Sequence, residues 1–155
     1  MPAQHLVEQY LAGADALFPA IAGLSPDDLN AHPVPGTWSI RQIVLHLMDS
    51  DLITSDRMKR VIAEENPALI GFDESAFVRS LFYDSLDAEM AADVFAKNRR
   101  LTAEILRRLP DAAFARFGTH NERGRVALAE LVQLMVYHLD HHLRFANEKR
   151  RLLGK

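Results

Sequence analysis

Apolar residues recur three and four positions apart along most of the chain, which is the repeat of amphipathic helices rather than of strands. The pattern predicts four long helices, at about residues 3–22, 39–64, 86–109 and 126–152. No segment shows the apolar–polar alternation of a half-buried strand. Four long amphipathic helices without a sheet predict an all-α four-helix bundle.

Prolines and capping residues mark the predicted helix ends. Ser39 and Gln42 form an S-x-x-Q capping box that opens the second helix, and Asn66-Pro67 ends it. Pro19 falls inside the first helix and is expected to kink or end it. The third helix stops at Pro110. Its apolar residues are Leu86, Met90, Val94, Leu101, Ile105 and Leu109.

The connections between these helices are long for a minimal bundle, at residues 23–38, 65–85 and 110–125. Ser25-Pro26 predicts a short helical turn in the first connection. A second short helix is predicted near residues 75–80, and the third connection is expected to be a turn-rich loop. Long loops in compact domains often build a functional site.

The composition is that of an ordinary globular protein, with 48% hydrophobic and 25% charged residues in 155. This length suits a single domain over residues 1–155. The formal net charge of −3 argues against a nucleic-acid binder of the basic-patch kind. Basic residues do cluster at Arg99-Arg100, Arg107-Arg108 and Lys149-Arg150-Arg151, where we expect solvated helix ends.

The chain contains no cysteine, which excludes disulfides, thiolate metal ligands and a cysteine nucleophile. Nucleophilic chemistry would therefore use water, a hydroxyl, or a thiol supplied by a cosubstrate. The first residues lack the basic and continuous apolar regions of a signal peptide, and no stretch is apolar enough to span a bilayer. We expect a cytoplasmic protein that binds neither nucleic acid nor membranes.

Two histidines of the fourth helix occupy core-facing positions. The stripe that carries them is spaced by three and four residues and runs through Leu128, Leu131, Met135, His138, His142 and Phe145. His138 and His142 lie four residues apart, so both imidazoles can reach one metal ion. The alternative is two buried neutral histidines bonded to the protein, although desolvating both without a ligand is costly.

His46 is the third candidate ligand, because it flanks the apolar stripe of the second helix. Considered by itself, it fits a ligand and a boundary residue equally well. Asp49 lies one turn further on and could orient an imidazole. Asp51 falls on the apolar side of the helix, where it would pair with an arginine or occupy a polar pocket. Either carboxylate is a candidate catalytic base.

The other histidines are weaker candidates for metal ligation. His141 lies at the edge of the core-facing stripe, His5 near the terminus, His32 in a proline-rich loop and His120 in a predicted turn. No glutamate is followed by a histidine three residues later, so a ferritin-like di-iron site is not expected. One mononuclear site on three histidines is the better prediction.

Several segments together resemble the DinB/YfiT-like family. The most specific is GTWSIRQIVLHL at residues 36–47, which resembles the start of that family's second helix. The other matching segments are Ala63–Pro67, Gly71–Asp73, Arg116–Gly118 and His138–Arg144. They span nearly the whole chain in the same order. The chain departs from the common family pattern at Leu143–Ala146, where a glutamine–isoleucine pair is frequent.

This resemblance implies a four-helix bundle, often dimeric, with three histidines on one divalent metal ion, usually zinc or nickel. The matching positions are His46, His138 and His142. Members of the family include S-transferases and isomerases that use low-molecular-weight thiols, and many others are named metal-dependent hydrolases. The family name refers to induction by DNA damage and implies no DNA binding.

We favour an enzyme, because a metal ion on three imidazoles keeps open positions that bind water or a substrate thiol and lower its pKa. Hydrolysis or S-transfer on a small molecule would follow. The alternative is a non-catalytic, metal-stabilised dimeric bundle that acts as a binding or stress-response module. A third possibility is a helical bundle that binds no metal. A homodimer would use the first and third helices, since the second and fourth must face the metal.

Overall fold

The computed structural model describes residues 2–155, and its four long helices confirm the predicted bundle. In chain order the helices are α1 (Pro2–Ala12), α2 (Leu17–Ile21), α3 (Pro26–Asn30), α4 (Ile40–Ala63), α5 (Glu74–Ser80), α6 (Ala88–Arg107) and α7 (Leu128–Leu152). Helices α1 and α4 each pack against both α6 and α7, so α4 and α7 are neighbours. Within residues 2–155, no helix is long and apolar enough to cross a membrane.

The predicted capping box is present at the start of α4. Ser39 Oγ accepts a hydrogen bond from the backbone N–H of Gln42 at 3.1 Å, and the Gln42 side chain accepts one from the Ser39 N–H at 2.9 Å. The box satisfies two backbone donors that the first turn would otherwise leave unpaired. It therefore fixes the helical phase with which α4 presents His46, two turns further on.

A small three-stranded sheet packs against α4 and α7, and the sequence pattern did not predict it. Strand β1 (Ala68–Leu69) runs parallel to β2 (Phe117–His120), which pairs antiparallel with β3 (Gly124–Ala127). Strands of two to four residues are too short to show an alternating pattern. The expectation of a loop across this region is therefore wrong for the hairpin, although a single 3₁₀ turn at Asp111–Ala115 precedes it.

The first predicted helix is broken near Gly13 rather than kinked at Pro19. The backbone N–H of Ala14 bonds to the Leu11 carbonyl, three residues back, which leaves the Tyr10 carbonyl free. That carbonyl accepts a hydrogen bond from Arg99 Nη1 at 3.1 Å. A Cβ at position 13 would lie 2.8 Å from the same nitrogen, so only glycine leaves room for this contact. Pro19 sits in the first turn of α2, where no hydrogen bond is lost.

Helix α6 packs through small residues rather than through most of its large apolar ones. Its buried residues are Ala88, Ala91, Ala92, Phe95, Ala96, Arg99, Thr102, Ala103 and Leu106. By contrast, Met90 is 65% exposed and Leu101 63% exposed, and Val94 between them is also exposed. The alanine face lets α6 lie close to its neighbours. The exposed apolar stripe has no partner within the described chain.

Arg99, expected to be a solvated helix end, lies in the middle of α6 and is 1% exposed. Its guanidinium bonds to the Asp51 carboxylate on α4, the Tyr10 carbonyl on α1 and the Met135 carbonyl on α7, at 2.9–3.1 Å. Asp51 also accepts hydrogen bonds from the Tyr10 hydroxyl and the Asn98 amide. The predicted pairing of Asp51 with an arginine is confirmed. This polar layer lies between two hydrophobic clusters of the core.

Replacing Asp51 with alanine should be strongly destabilising, because it leaves the Arg99 guanidinium buried without its counter-ion. Breaking such a pair costs about 3–5 kcal/mol of the free energy of unfolding. Urea unfolding monitored by circular dichroism measures this loss. Asp93→Ala, which removes the exposed partner of Lys97 on the same bundle, is the matched control and should change stability little. Equal effects of the two substitutions would contradict the central role of the Arg99–Asp51 pair.

Candidate metal centre

Helices α4 and α7 bring three histidine rings together. One ring nitrogen from each of His46, His138 and His142 lies within 4.8 Å of the other two. His46 Nε2 and His138 Nε2 are 3.0 Å apart. The nitrogens of a tetrahedral site with zinc–nitrogen bonds of about 2.1 Å lie roughly 3.4 Å from one another. The three rings therefore fit a single ion, and they are the three histidines that the sequence selects.

Neighbouring side chains hold these rings in place. The Trp38 indole stacks on His142 with ring centroids 6.0 Å apart and 15° between the planes, and its centroid lies 4.8 Å from that of His46. Ser50, one turn after His46, places its hydroxyl 3.4 Å from His46 Nδ1. The rings are thus oriented by packing and one hydroxyl. No carboxylate in residues 2–155 is hydrogen-bonded to any of the three.

The rings are neutral at physiological pH. Burial, together with the neighbouring imidazoles, lowers the pKa of His46 to about 3. Burial and the nearby His142 lower the pKa of His138 to about 3, and burial with His141 lowers the pKa of His142 to about 4. A neutral imidazole has a free lone pair, which is the form that binds a metal. Three such rings around one point match the donor set of a divalent ion.

Two cavities reach the triad from different sides. An apolar cavity of about 300 Å³ is lined by Trp38, Phe145 and His142 among others. A polar cavity of about 120 Å³ is lined by His138 with Arg57, His120 and Glu122 among others. The first volume is large enough for a small molecule. Two of the three rings therefore border open space, unlike the closed ligand set typical of a structural site.

The two candidate bases are both held by other side chains. Asp49 is half-buried and accepts a hydrogen bond from the Tyr83 hydroxyl. Asp51 is engaged by Arg99, Tyr10 and Asn98, as described above. Neither carboxylate is hydrogen-bonded to an imidazole in the described part of the chain. Their role as bases stays a prediction.

The other histidines lie outside the triad. His5 and His32 are exposed. His141 is half-buried at the edge of the stripe, with its ring centroid 5.2 Å from that of His142. His120 is 7% exposed on β2, where its Nδ1 accepts backbone N–H groups of the following turn, and it borders the polar cavity beside His138.

Trp38 and Lys149 line the apolar cavity, and neither was among the predicted site residues. Lys149 was expected in a solvated helix end but is 3% exposed. The helical spacing could have predicted this position. Lys149 follows His142 by seven residues, so it lies on the same face of α7, two turns further on. Trp38 immediately precedes the capping box and was noted only as part of a family motif.

A sequence model of the DinB superfamily matches residues 9–146. The chain belongs to the DinB superfamily. This DinB protein is 31% identical over 139 residues to a Bacillus subtilis protein named "Putative metal-dependent hydrolase YfiT", covering 87% of this chain and 76% of that one. It is also 27% identical over 123 residues to a similarly named protein of Oceanobacillus iheyensis, covering 79% of this chain and 71% of the relative.

The solved structure of YfiT from Bacillus subtilis shares the fold of this DinB protein. The two align with a TM-score of 0.91 at 25% identity, over 98% of this chain and 87% of the other. YfiT is described as "a probable metal-dependent hydrolase with an unusual four-helix bundle topology". The match confirms that the helical bundle, including its long connections, is that of a DinB/YfiT-like protein.

Acid should destabilise the metal-free protein. The unfolded chain takes up protons at histidine below a pH of about 6.5, whereas the lowered pKa values keep the folded triad neutral to about pH 4. The unfolded state therefore binds more protons in this window, so the free energy of unfolding falls as pH decreases from about 6.5 to 4. Urea unfolding of chelator-treated protein across this range measures the slope.

The matched variants for this experiment are His138→Gln and His5→Gln. The first removes a buried triad histidine and should flatten the slope, whereas the second removes an exposed histidine of α1 and should leave it unchanged. A slope that is the same in both variants and in the parent would contradict the assignment of the acid sensitivity to the triad.

Proposed function

We propose that this DinB protein binds one divalent metal ion through His46, His138 and His142 and uses it to transform a small molecule by hydrolysis or thiol transfer. The observation that carries the proposal is the convergence of three neutral imidazoles, without a carboxylate, at the junction of two cavities. The names of the relatives as metal-dependent hydrolases support the same reading.

An ion held by three imidazoles with open positions supplies Lewis acidity, which lowers the pKa of water or of a thiol bound there. The protein's own residues hold and shape the site. Trp38 and Ser50 keep the three histidine rings oriented, so the rings need little reorganisation to bind a metal ion. The apolar cavity excludes water beside His142 and gives a small organic substrate a surface to pack against.

Hydrolysis and thiol transfer differ in the nucleophile. The chain has no cysteine, so a thiol would come from a low-molecular-weight cosubstrate. The relatives' names favour hydrolysis, and the family resemblance adds the S-transferases. Zinc and nickel are both suited to imidazole ligands. For Asp49 and Asp51, the contacts with Tyr83 and Arg99 support a positioning role more than proton transfer.

The alternative function is a non-catalytic dimeric bundle stabilised by its metal. The apolar stripe of Met90, Val94 and Leu101 on α6 favours a dimer in either case, since burying it against a second copy would remove it from water. The two cavities at the triad favour the enzyme over this alternative. We further propose that neither nucleic acid nor membranes are partners, because the formal net charge is −3.

Purified protein reconstituted with zinc or nickel should retain about one ion per chain by elemental analysis. Alanine at His46, His138 or His142 should remove most of it, because each supplies one ligand. His141→Ala and His5→Ala are the controls and should keep the metal. Metal retained by His142→Ala but lost from His141→Ala would show that the wrong face of α7 had been assigned. The affinity-tag histidines must be removed before the measurement.

The same variants test the reaction. Metal-loaded parent is assayed against activated esters for hydrolysis, and against thiols with an electrophile for S-transfer. Turnover by the parent and by His5→Ala, with none by the three ligand variants, is the expected result. A parent that binds its ion and turns over neither class, with no open position detectable by anion binding to the metal, would favour the non-catalytic bundle.

The α6 stripe should hold a homodimer together. Light scattering at micromolar concentrations should give twice the chain mass of 17.5 kDa for the parent. The double substitution Met90→Lys with Leu101→Lys should shift the protein to the monomer, because two charges would be buried at the interface. Replacing Leu81, an exposed apolar residue outside α6, with lysine is the control. A monomeric parent would refute the dimer.

A further inference from the structure

A lysine is buried at the far end of the apolar cavity, and the described part of the chain gives it no counter-ion. Lys149 is 3% exposed, and its Nζ donates a hydrogen bond to Thr37 Oγ1 at 2.5 Å. That hydroxyl donates its own hydrogen to the Val34 carbonyl at 2.8 Å, so it can only accept from the lysine. No carboxylate in residues 2–155 lies within ion-pair distance of Lys149. An ammonium has three N–H groups, and two of them find no protein acceptor in the described chain.

The wall of the cavity joins this lysine to the triad. Its lining consists of Gly36, Thr37, Trp38, Ile43, His142, Phe145 and Lys149. His142 and Lys149 are seven residues apart on α7, which corresponds to about 10 Å along the helix axis. The cavity therefore has an imidazole of the triad towards one end, an ammonium towards the other and aromatic rings between them.

Burying an ammonium beside apolar groups is unfavourable unless an anion accompanies it. Burial alone lowers the pKa of Lys149, since no neighbouring charge opposes the effect. An anion placed against Nζ would use the two unpartnered N–H groups and restore the lost stabilisation. Within residues 3–155, Lys149 is the one cationic residue that lines the cavity, so a singly charged group such as a carboxylate fits better than a phosphate dianion.

We propose that this cavity binds a small, mainly apolar carboxylic acid, with its carboxylate on Lys149 and its apolar body between Trp38 and Phe145. The reactive group of the substrate then faces His142. This last assignment rests on the proposed metal-dependent function, whereas the carboxylate site stands on the lysine and the cavity alone.

The sole tryptophan of the chain lines the cavity, so its fluorescence reports binding there directly. Phenylacetate and its neutral analogue phenylacetamide are titrated into the protein, both free of metal and loaded with zinc. The parent should bind phenylacetate at least about tenfold more tightly than the amide in both forms, the gain expected for one charge-assisted hydrogen-bonded contact.

Lys149→Met removes the charge and keeps the apolar stem, so it should abolish the preference for the carboxylate. Lys149→Arg should keep it. Lys97→Met removes an exposed lysine on α6 and is the matched control, expected to behave as the parent does. Thermal unfolding and zinc content of each variant show that the fold and the triad are intact. The amide should bind Lys149→Met at least as well as it binds the parent.

The outcomes separate this inference from the proposed function. If phenylacetate binds only in the presence of zinc and still binds Lys149→Met, its carboxylate lies on the metal. That result would overturn the carboxylate site at Lys149 but would agree with the proposed metal-dependent function. Equal binding of acid and amide by the parent, or no binding of either, would also overturn the carboxylate site. If the preference for phenylacetate over phenylacetamide depends on Lys149 but the protein never retains zinc, the carboxylate site is supported and the proposed metal-dependent function is contradicted.

Discussion

One guanidinium group ties the four long helices of this protein together. Arg99 of α6 bonds to Tyr10 of α1, Asp51 of α4 and Met135 of α7, and the rings of Tyr10 and Phe95 flank it at about 4.5 Å. The hydrogen bonds offset the cost of burying the charged guanidinium. An apolar side chain at this position would not have that cost. Asp51 lies five residues after His46, and Met135 lies three before His138. The same group therefore sets the separation of the two helices that carry the triad.

The parts of the fold that depend on local sequence could be predicted. The Ser39–Gln42 box and the spacing of His138 and His142 are short-range patterns, and both appear in the structure as expected. His46 could not be assigned from its own helix, because its partners lie 92 and 96 positions further along the chain. The family resemblance supplied that third position.

Features that depend on tertiary packing were missed or misassigned. Arg99 and Lys149 were taken for solvated helix ends because cations are usually exposed, and only the packing of distant segments against them shows that both are buried. At the break near Gly13, the Tyr10 carbonyl of α1 accepts a hydrogen bond from Arg99 of α6 instead of one from its own helix. In the short sheet, β1 pairs with a strand about 50 residues further along the chain, and all three strands are too short for an alternating pattern.

The charge distribution inside the protein is opposite to that of the chain as a whole. The formal net charge is −3, yet among the described residues four cations are buried, Arg41, Arg57, Arg99 and Lys149, against one buried carboxylate, Asp51. Three neutral imidazoles would leave the full charge of a divalent ion uncompensated. A chain of negative net charge can therefore have an interior with more buried cations than carboxylates, because most of its carboxylates lie at the surface.

The hydrogen bonds of Arg99 also bear on how the chain folds. They join residues 36, 48 and 89 positions apart, and one uses a carbonyl that an uninterrupted α1 would have kept for itself. A subset of the helices would leave the guanidinium in an apolar environment with part of its hydrogen bonding unmet. Partly assembled bundles are therefore less stable than the complete one by the hydrogen bonds that Arg99 has not yet made. For a mainly helical protein, this is a source of all-or-none cooperativity that helix propensity alone does not provide.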